Sequence, residues 1–186
     1  MLQKQENRAK INIQNNKKRG FGMKYLCKDR LDVFGFHDSV LSFVSLDSQG
    51  LTVSAKLLNV LKNTEFNPSD LDMEIERAII RFNGFRALSY ETGGAFINGI
   101  NEPLSPTSIL TDKRAELMFR SRLDSGITVF DLDALENGVY FIDAITSSRL
   151  WNENFFTLKF SFESVTVEWE RYFNYSWYER EKGKEQ

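Results

Sequence analysis

Ala78-Ile79-Ile80-Arg81-Phe82-Asn83-Gly84-Phe85-Arg86-Ala87 is the stretch whose reading decides the fold. Glu74, Glu76, Ala78, Ile80 and Phe82 alternate with Ile75, Arg77, Ile79 and Arg81, the period of two that puts successive side chains on opposite faces of a strand. Asn83-Gly84 is the strongest short turn signal, because both residues tolerate the positive φ of a tight hairpin turn. Residues 85–91 then return as a second strand. The stretch predicts an antiparallel hairpin.

The same cadence extends outward. Leu51, Val53, Ala55 and Leu57 alternate with Thr52, Ser54 and Lys56, and Asp47-Ser48-Gln49-Gly50 joins them to a strand over 40–46. Strands over 127–133 and 139–146 flank Glu136-Asn137-Gly138. Phe156, Leu158, Phe160 and Phe162 face Val165, Val167 and Trp169 across Glu163-Ser164, a fourth expected hairpin. This last segment echoes the first: residues 160–167 repeat the strand, Phe, turn and strand of 80–87, as a duplicated half-domain or two hairpins with the same turn chemistry would. Residues 63–70, with Pro68, and 92–109, with Gly93-Gly94, Pro103 and Pro106, read as loops. Leu110, Ala115, Leu117, Met118 and Leu123 give a helical period over 110–123, behind Thr111 as a weak cap.

The expected fold is mainly β, α+β at most: an antiparallel two-layer sandwich or open barrel of about eight strands with one short helix near 110–123. Leu51, Val53, Leu57, Ile80, Phe82, Val129, Phe141, Leu158, Phe160, Val165 and Val167 form its predicted core.

The chain has 186 residues, the size of one domain; 41% are hydrophobic, enough for a sizeable core. Its 24 basic and 26 acidic residues are unevenly placed. Residues 1–22 hold six basic side chains against Glu6, a charge of +5, which leaves −7 on 23–186. Such a tail buries too little apolar surface to offset its ordering entropy. The expected organisation is a basic disordered tail over 1–22, or a start at Met23, then one β-rich domain over 23–178 and a charged, frayed terminus over 179–186. An acidic body disfavours nucleic acid and suits a basic partner. No run approaches ~18 uncharged apolar residues, so no membrane-spanning helix is expected. The basic start lacks the apolar segment of a secretory signal, and the single Cys27 forms no internal disulfide, which together point to the cytoplasm.

Several motifs invite chemistry. His37-Asp38-Ser39 resembles a triad in composition, but consecutive residues of an extended chain point apart, whereas a triad converges from separate elements. A hydrogen-bonded turn opening the first core strand is the expected role of His37, Asp38 and Ser39. Cys27 with His37 is a candidate hydrolase dyad. Asp70 with Asp72 and Asp131 with Asp133 each pair two carboxylates, but Met73 and Ala134 follow where a calcium loop would bring further oxygens. Gly93-Gly94 lacks the Lys-Ser/Thr continuation of a phosphate loop. No metal or cofactor is expected.

Trp169, Tyr172, Phe173, Tyr175, Trp177 and Tyr178 are six aromatics within ten residues. One strand face cannot bury so many, so either the segment is covered from both sides or some rings form a platform for a partner or a sugar. Trp169, Tyr172, Tyr175, Trp177 and Tyr178 are the candidate binding residues.

Phe36-His37-Asp38-Ser39-Val40 opening a strand, then Leu51-Thr52-Val53-Ser54-Ala55, then Phe162-Glu163-Ser164-Val165 turning into Val167-Glu168-Trp169, resembles a diffuse group of small bacterial domains. Some of these are similar to immunity proteins of polymorphic toxin systems. The resemblance covers 36–169; the loop at 92–109 and the basic tail depart from it. It implies a non-enzymatic protein that neutralises a partner toxin by binding it. A carbohydrate-binding sandwich using the aromatic run is the alternative, and a hydrolase at Cys27 and His37 the third reading.

The tail gives a direct test. A chain starting at Met23 should melt within a few degrees of the full chain, because residues 1–22 offer the core few apolar groups. A larger fall in calorimetry would show that Ile11, Ile13 or Phe21 docks on the body.

Overall fold

A computed structural model describes residues 23–92, 108–146 and 155–182 of the chain. Residues 1–22, nearly all of the 92–109 loop and 183–186 lie outside the described residues. The described chain is mainly β and antiparallel, as its alternation indicates. It has fourteen strands where about eight are expected, arranged as two open sheets consistent with the expected sandwich. The surplus consists of segments of two to four residues, too short to show a period of two.

The large sheet has ten strands. Across it run β1 (Tyr25–Lys28), β13 (Ser164–Trp169), β7 (Ala78–Asn83), β4 (Gly50–Lys56), β3 (Val40–Asp47), β10 (Ile127–Ala134), β11 (Val139–Thr146), β12 (Phe155–Ser161), β8 (Arg86–Thr92) and β9 (Ser108–Thr111). The small sheet is ordered β14 (Tyr172–Tyr175), β6 (Met73–Ile75), β5 (Leu58–Val60) and β2 (Phe34–Gly35).

Two of the four expected hairpins are not hairpins. β7 pairs with β4 and β13, while β8 pairs with β12 and β9. The two chain segments 78–92 and 155–169 instead run side by side, antiparallel, and bend together. Asn83 pairs with Ser164 before the bend and Arg86 with Ser161 after it, so the register is kept across the bend and shifts only beyond it, between Lys159 and Phe160. The Glu163 N–H donates to the Asn83 carbonyl (2.8 Å), and the Asn83 amide to the Ser164 hydroxyl (2.9 Å). Residues 80–87 and 160–167 echo one another because they are the two legs of one corner. A bend that carries strands between differently oriented parts of a sheet is a recurrent way to fold a sheet over its own core.

Phe82, Phe85 and Phe160 fill that corner with ring centroids 5.7 Å apart for both Phe82–Phe160 and Phe85–Phe160. β3 and β10 share only the Val40–Thr128 and Leu41–Ile127 pairs before they separate. The helix α1 (Asp112–Ser125) packs on β3, β8 and β9, burying Ala115, Phe119, Arg122 and Leu123. Phe119 reaches Phe85 and Phe156. Leu110 belongs to β9 and Leu117 is exposed, so the buried stripe is displaced from the predicted one.

Two members of the predicted core lie elsewhere. Leu57 follows the end of β4 with a φ of 57°, which breaks the alternation; it is exposed, and Leu58 is buried in its place. Phe141 is only half-buried. Val129 sits opposite Ala144, so Ala144 and Ile142 take the inner face of β11 and Phe141 the outer. The other nine predicted residues are buried.

The β3–β4 turn docks on the corner. The Gly84 N–H donates to the Gln49 carbonyl (2.9 Å), and Gly50 pairs with Asn83. A Cβ at Gly50, where φ is +141°, would lie 2.0 Å from the Phe82 carbonyl oxygen. Gly50→Ala should therefore destabilise the protein by about 3 kcal/mol or more in urea unfolding. Gly138→Ala, where φ is +71° and a Cβ meets nothing within 4 Å, should cost only the left-handed penalty of about 1–2 kcal/mol. Equal losses would show that the corner tolerates movement of the turn.

Candidate functional site

The chain leaves the large sheet at Trp169 and enters the small one at Tyr172, then forms the short helix α2 (Trp177–Lys182). Trp169 is completely buried. Tyr25 stacks on it at 5.1 Å, and Phe34, Phe66 and Tyr172 meet it edge-on or nearly so. Phe34 lies on β2 and Tyr172 on β14, so this indole is where the two sheets are held together.

Beyond Trp169 the aromatic run divides into two sets. The inward set is tied by its hydroxyls: Tyr172 donates to the Phe66 carbonyl and Tyr178 to Asp72 Oδ2 (2.6 Å). Burial pushes both phenols up to about 12, with the Asp72 bond adding to the shift at Tyr178. Outward stand Phe173, Tyr175 and Trp177, exposed by 60%, 46% and 38%. Phe173 and Tyr175 lie on β14, whose pairing with β6 shifts register between Tyr172 and Asn174, and Trp177 follows at the start of α2. The five candidate binding residues therefore do not form one surface. Tyr175 and Trp177 are available to a partner together with Phe173, whereas Trp169 is core and Tyr172 and Tyr178 are fastenings.

Under this segment lies a polar floor. Asn59, Asp72, Glu74 and Ser176 are all buried. The Ser176 hydroxyl donates to Asn59 Oδ1 (2.6 Å), its N–H donates to the Asp72 carbonyl (2.9 Å), and Asp72 Oδ1 accepts the Lys62 N–H (2.6 Å). Arg180 Nη1 donates to the Tyr175 carbonyl (2.7 Å) and lies 3.9 Å from Glu74 Oε2. Glu179 Oε1 lies 3.9 Å from Lys62 Nζ. The side chain of Glu74 is 4% exposed, and burial raises its pKa above the ordinary carboxylate range while Arg180 pulls it partly back. Sequence reasoning missed Glu74, Asn59, Ser176 and Arg180. Glu74 shares the strand parity of Ala78, Ile80 and Phe82, and a carboxylate on an apolar face was the one signal for it.

The remaining motifs lie apart from this site. His37 Nδ1 is 2.8 Å from the Phe130 carbonyl and its Nε2 3.6 Å from Asp38. The buried Ser39 hydroxyl donates to the Phe36 carbonyl (2.6 Å), Asp38 takes a φ of 64°, and its N–H donates to the Val129 carbonyl. These bonds fasten the turn before β3 to β10. The Cys27 thiol is buried on β1, and its contact at 3.5 Å is with the Arg30 carbonyl rather than His37. Burial, reinforced by Glu65, pushes it up to about 11, far from the thiolate that a nucleophile needs. Asp70, Asp131 and Asp133 are exposed, unlike Asp72. Among the described residues, no group of three or more His, Cys, Asp or Glu is placed to hold a metal ion, and no helix is long and apolar enough to cross a membrane. No family model, curated protein or solved structure matches the chain.

Glu74 makes stability depend on pH in a defined direction. Its folded pKa is raised, so it favours folding at low pH and that contribution is lost as pH rises through the folded value. Glu74→Gln should leave urea midpoints nearly unchanged at about pH 4 and raise them increasingly toward about pH 7. Coincident midpoints across that range would mean that Arg180 offsets the whole desolvation cost.

Proposed function

We propose that this chain is a non-enzymatic cytosolic protein-binding domain of the immunity type, which neutralises a partner toxin by occupying its surface. The observation that carries the reading is the exposure of three large rings, Phe173, Tyr175 and Trp177, on an edge strand and the helix that follows it. Large rings with few rotatable bonds dominate the energetics of protein interfaces, and rings already held in place lose little freedom on binding. Here the holding is done by the inward set, Trp169, Tyr172 and Tyr178. The −7 of residues 23–186 complements a basic partner and speeds encounter with it.

The test is protection and co-purification when the chain is expressed with a toxic protein encoded beside it. The triple variant Phe173→Ser, Tyr175→Ser, Trp177→Ser should keep the parent's melting temperature to within a few degrees and lose both protection and co-purification. Full protection by the triple variant at matched dose would sink the reading. Carbohydrate binding by the same rings is the competing outcome: saturable glycan binding that the triple variant loses would replace protein docking.

A further inference from the structure

α1 follows β9 directly and packs beside it, and between the two lies an apolar groove of about 340 Å³. Leu110 lines it from β9, and Arg114, Leu117, Met118 and Ser121 line it from the helix. β9 is the last strand of the large sheet, so the groove lies at the sheet's margin. Leu117 is 53% exposed although it sits in the middle of the helix. A large aliphatic side chain on the open side of a central turn gains nothing for the fold of this chain.

The residues around Leu117 form a pattern. Arg114, Leu117, Ser121 and Asp124 succeed one another at spacings of three, four and three, the a and d positions of a heptad, and so make one stripe along α1. Arg114, Leu117 and Asp124 are exposed, and Ser121 is half-buried. The stripe is self-complementary. Turned end for end, it sets Arg114 opposite Asp124 and Leu117 opposite the small Ser121. That is the match made by two identical antiparallel helices about a twofold axis.

The other charges of α1 are already engaged. Lys113 pairs with Glu116, Arg120 lies over the Phe43 ring at 4.9 Å, and Arg122 donates to the Tyr90 hydroxyl. Asp112, at the first helical position, is favoured by the helix dipole. Arg114 and Asp124 have no ion-pair partner among the described residues, and each stands against that dipole, a cation in the first turn and an anion in the last. Beside an antiparallel helix each lies at the end where its sign is favourable. Opposite charges at the two ends of an apolar centre fit an identical helix better than a uniformly basic or acidic surface.

We propose that this groove is a self-association site, in which a second copy of the chain lays its α1 antiparallel against the first. Arg114 of each copy then meets Asp124 of the other at both ends of the contact. The two Leu117 side chains fill the centre, with Leu110 and Met118 beside them. The inference does not depend on the docking reading above, because the three exposed rings lie on the small sheet and α2 rather than on α1.

The experiment is sedimentation velocity of the full chain at low salt, from about 5 to 500 µM, a range suited to an interface of small area. The parent should pass from monomer to dimer. Arg114→Asp and Asp124→Arg each set like charges against one another in a dimer of identical chains, and each should weaken association about tenfold or more. Both substitutions agree with the helix dipole, so neither should lower the melting temperature, which separates lost docking from lost folding. Mixed in equal amounts, the two variants should form a mixed dimer within a few-fold of the parent's affinity, because every facing pair is again of opposite sign. Leu117→Lys should remain monomeric throughout. A parent that stays monomeric, single variants that associate like the parent, or a mixture that fails to associate would each overturn the proposal. Other occupants have their own signatures. If the parent is monomeric and Leu117→Lys melts more than a few degrees lower, the groove is covered from within its own chain. If Leu117→Lys loses a co-purifying toxin from a monomeric parent, the groove belongs to that partner. Either result overturns self-association.

Discussion

Two segments nearly eighty residues apart in sequence, 78–92 and 155–169, bend at one place without losing register, and the rest of the molecule is arranged around that shared bend. A ladder can continue through a corner only if both chains turn together, otherwise one of them strands its N–H and C=O groups in the interior. Asn83 and Gly84 meet this requirement on one side and Glu163 and Ser164 on the other, with Asn83 bonded to both partners. The corner brings Phe82, Phe85 and Phe160 to a common centre, against which α1 places Phe119. Gly50 lets the neighbouring turn approach the Phe82 carbonyl, where no other residue fits.

The corner also fixes where the candidate site falls. β13 starts at the bend and ends at Trp169, so its length sets the point at which the chain leaves the large sheet. With Trp169 buried among Tyr25, Phe34, Phe66 and Tyr172, the chain beyond it has one face already committed to the small sheet. Phe173, Tyr175 and Trp177 project outward because their neighbours Tyr172, Ser176 and Tyr178 are bonded inward. The exposed rings stand on the outer side of a segment, β14 and the start of α2, whose inward residues are structural.

Much of this was legible where local chemistry and tertiary structure agree. The β3–β4 and β10–β11 hairpins, the inward residues of β4, β7, β12 and β13 and the helix near 112–125 follow from period and turn residues alone. Asn83-Gly84 shows the limit. Its positive-φ chemistry is used, Gly84 having a φ of +65°, but to bend a strand rather than to reverse it. A single chain segment cannot reveal whether its neighbour is the next strand or one eighty residues away, because the same turn chemistry serves both. The aromatic run was legible as unusual and not as divided, since the partition depends on Phe66 and Asp72, which are distant in sequence. Glu74 was marked only by its parity with Ala78, Ile80 and Phe82, because β6 is three residues long and both Glu74 and Ile75 are buried, so burial does not alternate there.

The distribution of buried polar groups separates the two sheets by character. In the large sheet the interior is packed with apolar side chains and its buried guanidinium, Arg122, is bonded to the Tyr90 hydroxyl at 2.7 Å and lies over the Tyr90 and Phe156 rings. Around the small sheet, Asn59, Asn67, Asp72, Glu74 and Ser176 are buried within a few residues of one another along the strands and the segments that flank them. Interiors of this second kind contribute less to stability than apolar ones of the same volume, and they hold their shape only while each donor and acceptor keeps its partner. Asn67 keeps all of its partners: its amide donates to the Val60 and Leu71 carbonyls, and its oxygen accepts from Ser69. Under α2 the buried polar groups are fastened by bonds that arrive from Ser176, Tyr178 and Arg180, so the exposed rings stand over a polar base whose shape depends on those bonds being kept.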